Sequence, residues 1–276
     1  MKKQIKFLFS CLCLVFIGCA TNRKISIGGA PDSNQNRFFD STYTHFICFN
    51  CQTLDSLINY PFVQRVDIFG KQCKIKFDLS KLSNLTELYI SSPKIQFKKN
   101  IIGNLTKIEN FAIYNSQVDK IPYFLTNSVK LKRLHLNFYD ENLSFEELKN
   151  LNQLQCLELT FNKLAKFPSG IFGLDSLKIL DVRIESDNQP IKLPDEVVKL
   201  HNLEELRFPF DIYGNIDKLN KLKSLKSIIA QKFSDFEKEY YKLSTISKLE
   251  NIYFQDISLE QRKHLAEIIH GIDFRR

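Results

Sequence analysis

The 276-residue chain has no tryptophan and only one methionine, the initiator. Glycine (9) and proline (8) are scarce, which excludes collagen-like and low-complexity chains. Only one long apolar run is present and the mean hydropathy is −0.21, so a bundle of membrane helices is excluded. There is no G-x-S-x-G, no H-E-x-x-H and no P-loop, so the strained serine elbow, the helical zinc pair and the phosphate cradle all lack a sequence basis. The five histidines (45, 135, 201, 264 and 270) fall in different contexts, and the carboxylates sit close to lysines, so no acid–base pair stands out. We read the chain as non-enzymatic and without a cofactor. What is present, 43% hydrophobic and 25% charged residues, is the balance of a folded protein.

The first residues form an address. Lys2, Lys3 and Lys6 precede an apolar run from Phe7 to Gly18, too short for a helix spanning a ~30 Å bilayer core but suited to a signal segment. The run ends Phe16-Ile17-Gly18-Cys19, which resembles the lipobox of bacterial lipoproteins, with a bulkier Phe16 and Ile17 than is usual. That resemblance implies cleavage after residue 18 and lipid on Cys19, hence a cell envelope, membrane-attached location, with the outer membrane expected. Residues 19–40 are polar and aperiodic and read as a flexible tether; residues 41–276 read as the folded body.

The net charge is +8, and loss of the three leader lysines leaves +8 − 3 = +5. The lysines are spread along the chain with no block of like charge, and no stacking aromatics interleave with them, so nucleic acid is not expected as a partner. We read the excess as surface solubility with weak attraction to anionic lipid.

The body is repetitive. Leu154, Leu157, Leu159, Asn162 and Leu164 follow the pattern L-x-x-L-x-L-x-x-N-x-L. Stepping back in units of 22–23 finds Leu131/Leu134/Leu136, Ile108/Phe111/Ile113, Leu85/Leu88/Ile90 and Val63/Val66/Ile68. Stepping forward in units of 22–26 finds Leu177/Leu180/Val182, Leu203/Leu206/Phe208, Leu225/Ile228/Ala230 and Leu249/Ile252/Phe254. A degenerate leading unit is expected, with Thr44 and Phe46 in the strand slots. The chain thus resembles bacterial leucine-rich repeat proteins over about residues 41–259. The resemblance implies an α/β solenoid: a curved horseshoe with parallel strands on the concave face and short helices or 3-10 turns on the convex face. It departs from the family where the pattern asks for Asn: Phe49, Lys71, Pro93, Ser116, Tyr139, Glu185, Asp211, Phe233 and Ile257 stand there, and only Asn162 conforms. Ser144-Phe145-Glu146-Glu147 opens like a capping box, and Pro194-Asp195-Glu196 suits a first helical turn. Phe46 with the Leu54–Tyr60 segment, and Ser258–Gly271 with Leu259, Leu265, Ile268 and Ile269, are expected to cap the two ends.

Four cysteines remain in the body. Cys51 and Cys73 are 22 apart and share a repeat position, and coils ~5 Å apart suit a disulfide. A Cys48–Cys51 bond, reduced thiols, and a His45/Cys48/Cys51/Cys73 zinc set are the alternatives. Outward strand positions would meet a partner. The expected set is Tyr89, Tyr114, His135, Phe138, Glu158, Phe161, Asp181, Arg183, Arg207 and Phe210, with Phe138, Phe161, Ile184 and Phe210 as an apolar stripe that is either exposed or folded under the loops. The function expected is protein–protein interaction by a monomer held to a membrane by lipid; carbohydrate binding and a ligand-free structural role are the alternatives.

Overall fold

The computed structural model describes residues 25–28, 44–49, 57, 60, 62–76, 78–97, 105–138, 145–164, 166–185 and 191–268. Eleven strands form one all-parallel sheet, ordered along the chain: β1 (Ile25–Gly28), β2 (His45–Phe49), β3 (Arg65–Phe69), β5 (Glu87–Ser91), β7 (Asn110–Val118), β8 (Arg133–Phe138), β9 (Cys156–Phe161), β10 (Ile179–Ile184), β11 (Glu205–Asp211), β12 (Ser227–Lys232) and β13 (Asn251–Asp256). A separate parallel pair, β4 (Cys73–Ile75) with β6 (Ile95–Phe97), follows the strands of two early coils. The expected solenoid with a parallel concave sheet is therefore what forms.

The repeat spacing is held by one recurring backbone arrangement. The carbonyl just before each strand accepts two N–H groups from the next coil: Gln64 O takes Thr86 N (2.8 Å) and Glu87 N (2.9 Å), and Lys226 O takes Glu250 N (2.7 Å) and Asn251 N (2.9 Å). The same fork recurs on the carbonyls of Thr44, Thr86, Glu109, Lys132, Gln155, Lys178 and Glu204. Because it recurs at the same place in every coil, length differences between coils must be absorbed in the return segments and the strand ends.

Between strands the chain returns through short helical turns: 3-10 segments at Leu79–Lys81, Tyr123–Leu125, Glu146–Asn150, Ser169–Gly173, Asp195–Lys199 and Tyr240–Thr245, and two α-turns, α1 (Ile216–Leu219) and α2 (Phe236–Glu239). Each puts apolar side chains under the sheet, among them Phe124, Leu148, Ile171, Val197 and Leu219. Strand leucines meet them from the other side, so one continuous core runs the length of the described coils. Fully burying one such side chain contributes roughly 1.5–3 kcal/mol, and no coil could bury its set alone.

Four expectations change. The leading coil is shifted by two residues: Phe46 and Cys48, not Thr44 and Phe46, pair with Val66 and Ile68. The pattern was misread there because this coil steps by 20 residues, not 22. Second, part of the segment read as tether is structured: Ile25–Gly28 pairs in parallel with His45–Cys48 and takes up the backbone edge of β2. Third, the turn at Glu146 begins from Phe145 in the left-handed region (φ 59°), which makes no side-chain cap bond, and Ser144 of the expected capping box lies outside the described residues; Pro194 does lead the Asp195–Lys199 turn, with Asp195 and Glu196 in its first turn. Fourth, α3 (Leu259–Ile268) caps the C-terminal end through buried Leu265, whereas Leu259 is exposed. A capping box does form there: Gln261 N donates to Ser258 Oγ (3.1 Å) and Ser258 N to Gln261 Oε1 (3.0 Å). The His264 ring stacks on Tyr240 at 5.9 Å.

In place of the usual asparagine, Asp211 bridges two coils: its Oδ1 accepts from Tyr213 N (3.1 Å) and Ser234 N (2.9 Å). It follows a bulge at Pro209-Phe210, where β11 leaves register with β12 and where proline has no N–H to give.

Candidate partner-binding face

Strand alternation decides which residues face out. In β8 the burial runs exposed, buried, half-buried, buried, half-buried, buried from Arg133 to Phe138. The outward positions are therefore the first, third and fifth of each strand. Across the sheet the third positions line up as Asp67, Tyr89, Ala112, His135, Glu158, Asp181 and Arg207. Beside them Ser91 pairs with Tyr114, and Asn137, Thr160 and Arg183 continue the row; between the two the register shifts in β7, so that Asn137 pairs with Gln117.

The apolar stripe is not part of this face. Phe138, Phe161 and Phe210 are fully buried and Ile184 is partly buried against the same core. They occupy the sixth strand position, one step past the outward row, and the pleat turns them inward. Phe138 stacks on Phe161 at 5.5 Å, and Phe145 meets both edge-on at 5.1 and 6.1 Å. Their role is packing, so they leave the partner-binding set. Tyr89, Tyr114, His135, Glu158, Asp181, Arg183 and Arg207 remain together on the concave side.

Two polar clusters organise that side. Near the N-terminal end, Arg65 forks onto Asp67 with Nε–Oδ1 and Nη2–Oδ2 both at 3.0 Å, reaches Glu87 at 3.4 Å, and lies 4.5 Å over the Tyr89 ring. His45 Nε2 meets Asp67 Oδ2 at 2.8 Å from the preceding strand. Burial alone would raise the Asp67 carboxyl; the hydrogen bonds from His45 and Arg65 outweigh it and hold the group below its ordinary range. Burial and the Glu87 charge push the Tyr89 phenol up to about 12.

The central cluster runs across β7 to β11. The Tyr114 ring lies 4.6 Å from His135, whose Nδ1 is 3.2 Å from Glu158 Oε2. Cys156 Sγ donates to Glu158 Oε1 at 3.7 Å. Burial and the Glu158 charge push this thiol up to about 12, which removes it as a nucleophile near neutral pH. Next along, Asp181 takes Arg183 through Nη2 at 2.6 Å and Arg207 Nη1 at 3.5 Å. The Nε of Arg207 is buried and has no hydrogen-bond partner, and Asn137 Oδ1 is in the same condition.

The expected partner-binding set left out His45, Arg65, Asp67 and Glu87. The signal was there: Arg65-x-Asp67 and Asp181-x-Arg183 both place opposite charges on one face of a strand at i, i+2.

Of the cysteines, Cys73 is buried and disulfide-bonded, while Cys48 and Cys156 are buried thiols. Cys51 and Cys19 lie outside the described residues. Among the described residues no group of three or more His, Cys, Asp and Glu side chains could hold a metal, and no helix is long and apolar enough to cross a membrane.

A family model described as a leucine-rich repeat region matches residues 131–273. Among curated proteins the chain is similar to the disease resistance protein UNI of Arabidopsis thaliana (28% identity over 200 residues, 66% of this chain and 21% of that protein). It is also similar to human lumican (26% over 190 residues, 66% and 52%). The chain thus spans only about a fifth to a half of these relatives. Among solved structures it is similar to an internalin from Listeria monocytogenes (17% identity, 81% of this chain and 77% of that one, TM-score 0.45). A second is the leucine-rich repeat domain of the type III effector XopL (17%, 62% and 60%, TM-score 0.48).

Proposed function

The chain belongs to the leucine-rich repeat family, and from that premise we propose that it is a non-enzymatic binding protein of a bacterial cell envelope, attached by lipid at Cys19, that docks a protein partner on its concave face. The observation that carries this reading is the central cluster. Tyr114, His135, Glu158, Asp181, Arg183 and Arg207 are ordered by one another across five adjacent strands. Ordering them in advance lowers the entropy that a partner must offset on binding. Half-buried arginine and tyrosine are the side chains that contribute most to protein interfaces.

The attachment reading rests on the lipobox-like Phe16-Ile17-Gly18-Cys19, and the outer membrane is the compartment we assign. The carbohydrate alternative leaned on the phenylalanine stripe, and burial of Phe138, Phe161 and Phe210 removes that support.

Pull-down with tagged full-length chain from native membranes tests the binding face. One stoichiometric protein should be captured by the unaltered chain and by Glu196→Lys on the convex side, and lost with Arg183→Glu. Equal capture by Arg183→Glu would refute the face. Binding on a glycan array, with no protein captured, would favour carbohydrate. Attachment is tested separately: the N-terminal peptide should carry acyl chains, and Cys19→Ala should leave the membrane fraction.

A further inference from the structure

Charge is not distributed along this solenoid as a residue-by-residue reading suggests. Residues 71–99 contain Lys71, Lys74, Lys76, Lys81, Lys94, Lys98 and Lys99 against Asp78 and Glu87, a net of 7 − 2 = +5. The chain from residue 19 onward has 36 basic and 31 acidic residues, also +5. The remainder is therefore neutral (29 against 29), and the whole excess lies in two neighbouring coils.

The fold turns that excess into a surface. In β4 Cys73 and Ile75 point into the core and Lys74 points out. Lys76 follows two residues on, and the register sets Lys74 beside Gln96 of β6, with exposed Lys94 just before that strand. Lys71 is exposed at the entry to β4. Glu87 is turned away on the concave face with Arg65, and Asp78 is engaged by Ser80 N and Oγ. Among the described residues no carboxylate lies within ion-pair distance of Lys71, Lys74, Lys76, Lys81 or Lys94. Some lysines elsewhere are ion-paired, among them Lys132 with Glu109 (2.9 Å), Lys218 with Asp195 (2.7 Å), Lys226 with Glu204 (2.7 Å) and Lys242 with Glu239 (2.8 Å), and others are not; what sets this flank apart is its local excess of positive charge.

We propose that the flank formed by β4, β6 and their adjoining turns is a docking surface for anionic lipid headgroups. The flank is an open strand pair bearing compact ammonium charges, without the arginine forks that grip one phosphate or carboxylate in fixed geometry. Its place in the fold agrees. β3, whose coil carries β4, is two strands from β1, about 10 Å at the usual spacing. Ile25 is six residues from Cys19, a reach of about 20 Å at most. The proposal rests on attachment at Cys19, which would hold this end of the solenoid within headgroup range. Lipid plus a basic patch is the two-signal arrangement that makes peripheral attachment stable. It would also stand the solenoid with its C-terminal coils away from the membrane.

The test is an amine-labelling footprint of the full chain on vesicles of phosphatidylglycerol and, separately, of phosphatidylcholine, read peptide by peptide. Labelling of Lys71, Lys74, Lys76 and Lys94 should fall several-fold on the anionic vesicles only. It should return in about 1 M salt, where the Debye length is ~3 Å. Exposed Lys221 and Lys223 should not change. The exposed pair Lys74→Gln and Lys94→Gln should restore labelling at Lys76; each lysine lost should weaken the partition about fivefold. Equal labelling on the two vesicles overturns the proposal. Protection in native membranes but not on phosphatidylglycerol would assign the flank to an acidic protein and also overturns it. An N-terminal peptide without acyl chains would remove the attachment reading alone, since the same footprint with vesicles added to the unattached chain still decides the flank.

Discussion

Arg65 and Asp67 stand two residues apart on one strand and are joined by two 3.0 Å contacts on the concave face, with Asp67 almost wholly buried. The pair makes that end of the sheet sensitive to acid. Because the folded carboxyl is held below its unfolded value near 3.9, its contribution is present above that pH and is lost as pH falls through the folded value. Asp67→Asn should therefore cost about 1–3 kcal/mol at neutral pH, since it leaves Arg65 under-satisfied. It should also flatten the loss of stability below about pH 4. Urea midpoints measured across pH 3–7 on both proteins check this; parallel curves would refute it.

Phe161→Ala should behave as a core deletion. Phe161 is 1% exposed between Phe138 and Phe145, so the cost should be roughly 3–5 kcal/mol, with a lowered melting temperature. Thr160→Ala on the outward side of the same strand should stay within about 0.5 kcal/mol. Denaturant titration of the two variants distinguishes packing from a surface role.

The cysteines make a chemical prediction. The sequence expectation pairs Cys51 with Cys73. Denatured, unreduced protein should then take up alkyl groups at Cys48 and Cys156 only, and at Cys51 and Cys73 as well after reduction. Uptake at Cys51 without reductant would refute the pairing. Cys73→Ser should cost about 3 kcal/mol, the chain-entropy value for a loop near this length. In the folded state Cys156, with its thiol at about 12, should resist iodoacetamide at pH 8.

Ser258→Ala should remove the capping box of α3 and cost about 1 kcal/mol. Because terminal coils of a solenoid contact a neighbour on one side only, amide exchange should speed up in β13 and the Tyr240–Thr245 turn before it does in β8 or β9.

The repeat period was legible because hydrophobic spacing is local: Leu154, Leu157 and Leu159 announce a coil without any knowledge of their neighbours. Alternation also placed His135, Glu158, Asp181 and Arg207 in one outward row. The reading failed where neighbouring coils differ in length. A 20-residue first step displaced Phe46 and Cys48 by two positions, and it took the coil-to-coil hydrogen bonds at Thr44 and Gln64 to reveal it. It failed again at the sixth strand position, where Phe138 shares the parity of the inward Leu134 and Leu136 and so could not belong to the outward row.

Composition and period were enough to establish a single solenoid, its handful of polar strand positions and the lack of a catalytic signature, because each of these depends on residues within one coil. Which phenylalanine rings meet, which arginine meets which aspartate, and which lysines gather on one flank all depend on register between coils. That register is set by backbone hydrogen bonds across the sheet, and no single repeat contains them.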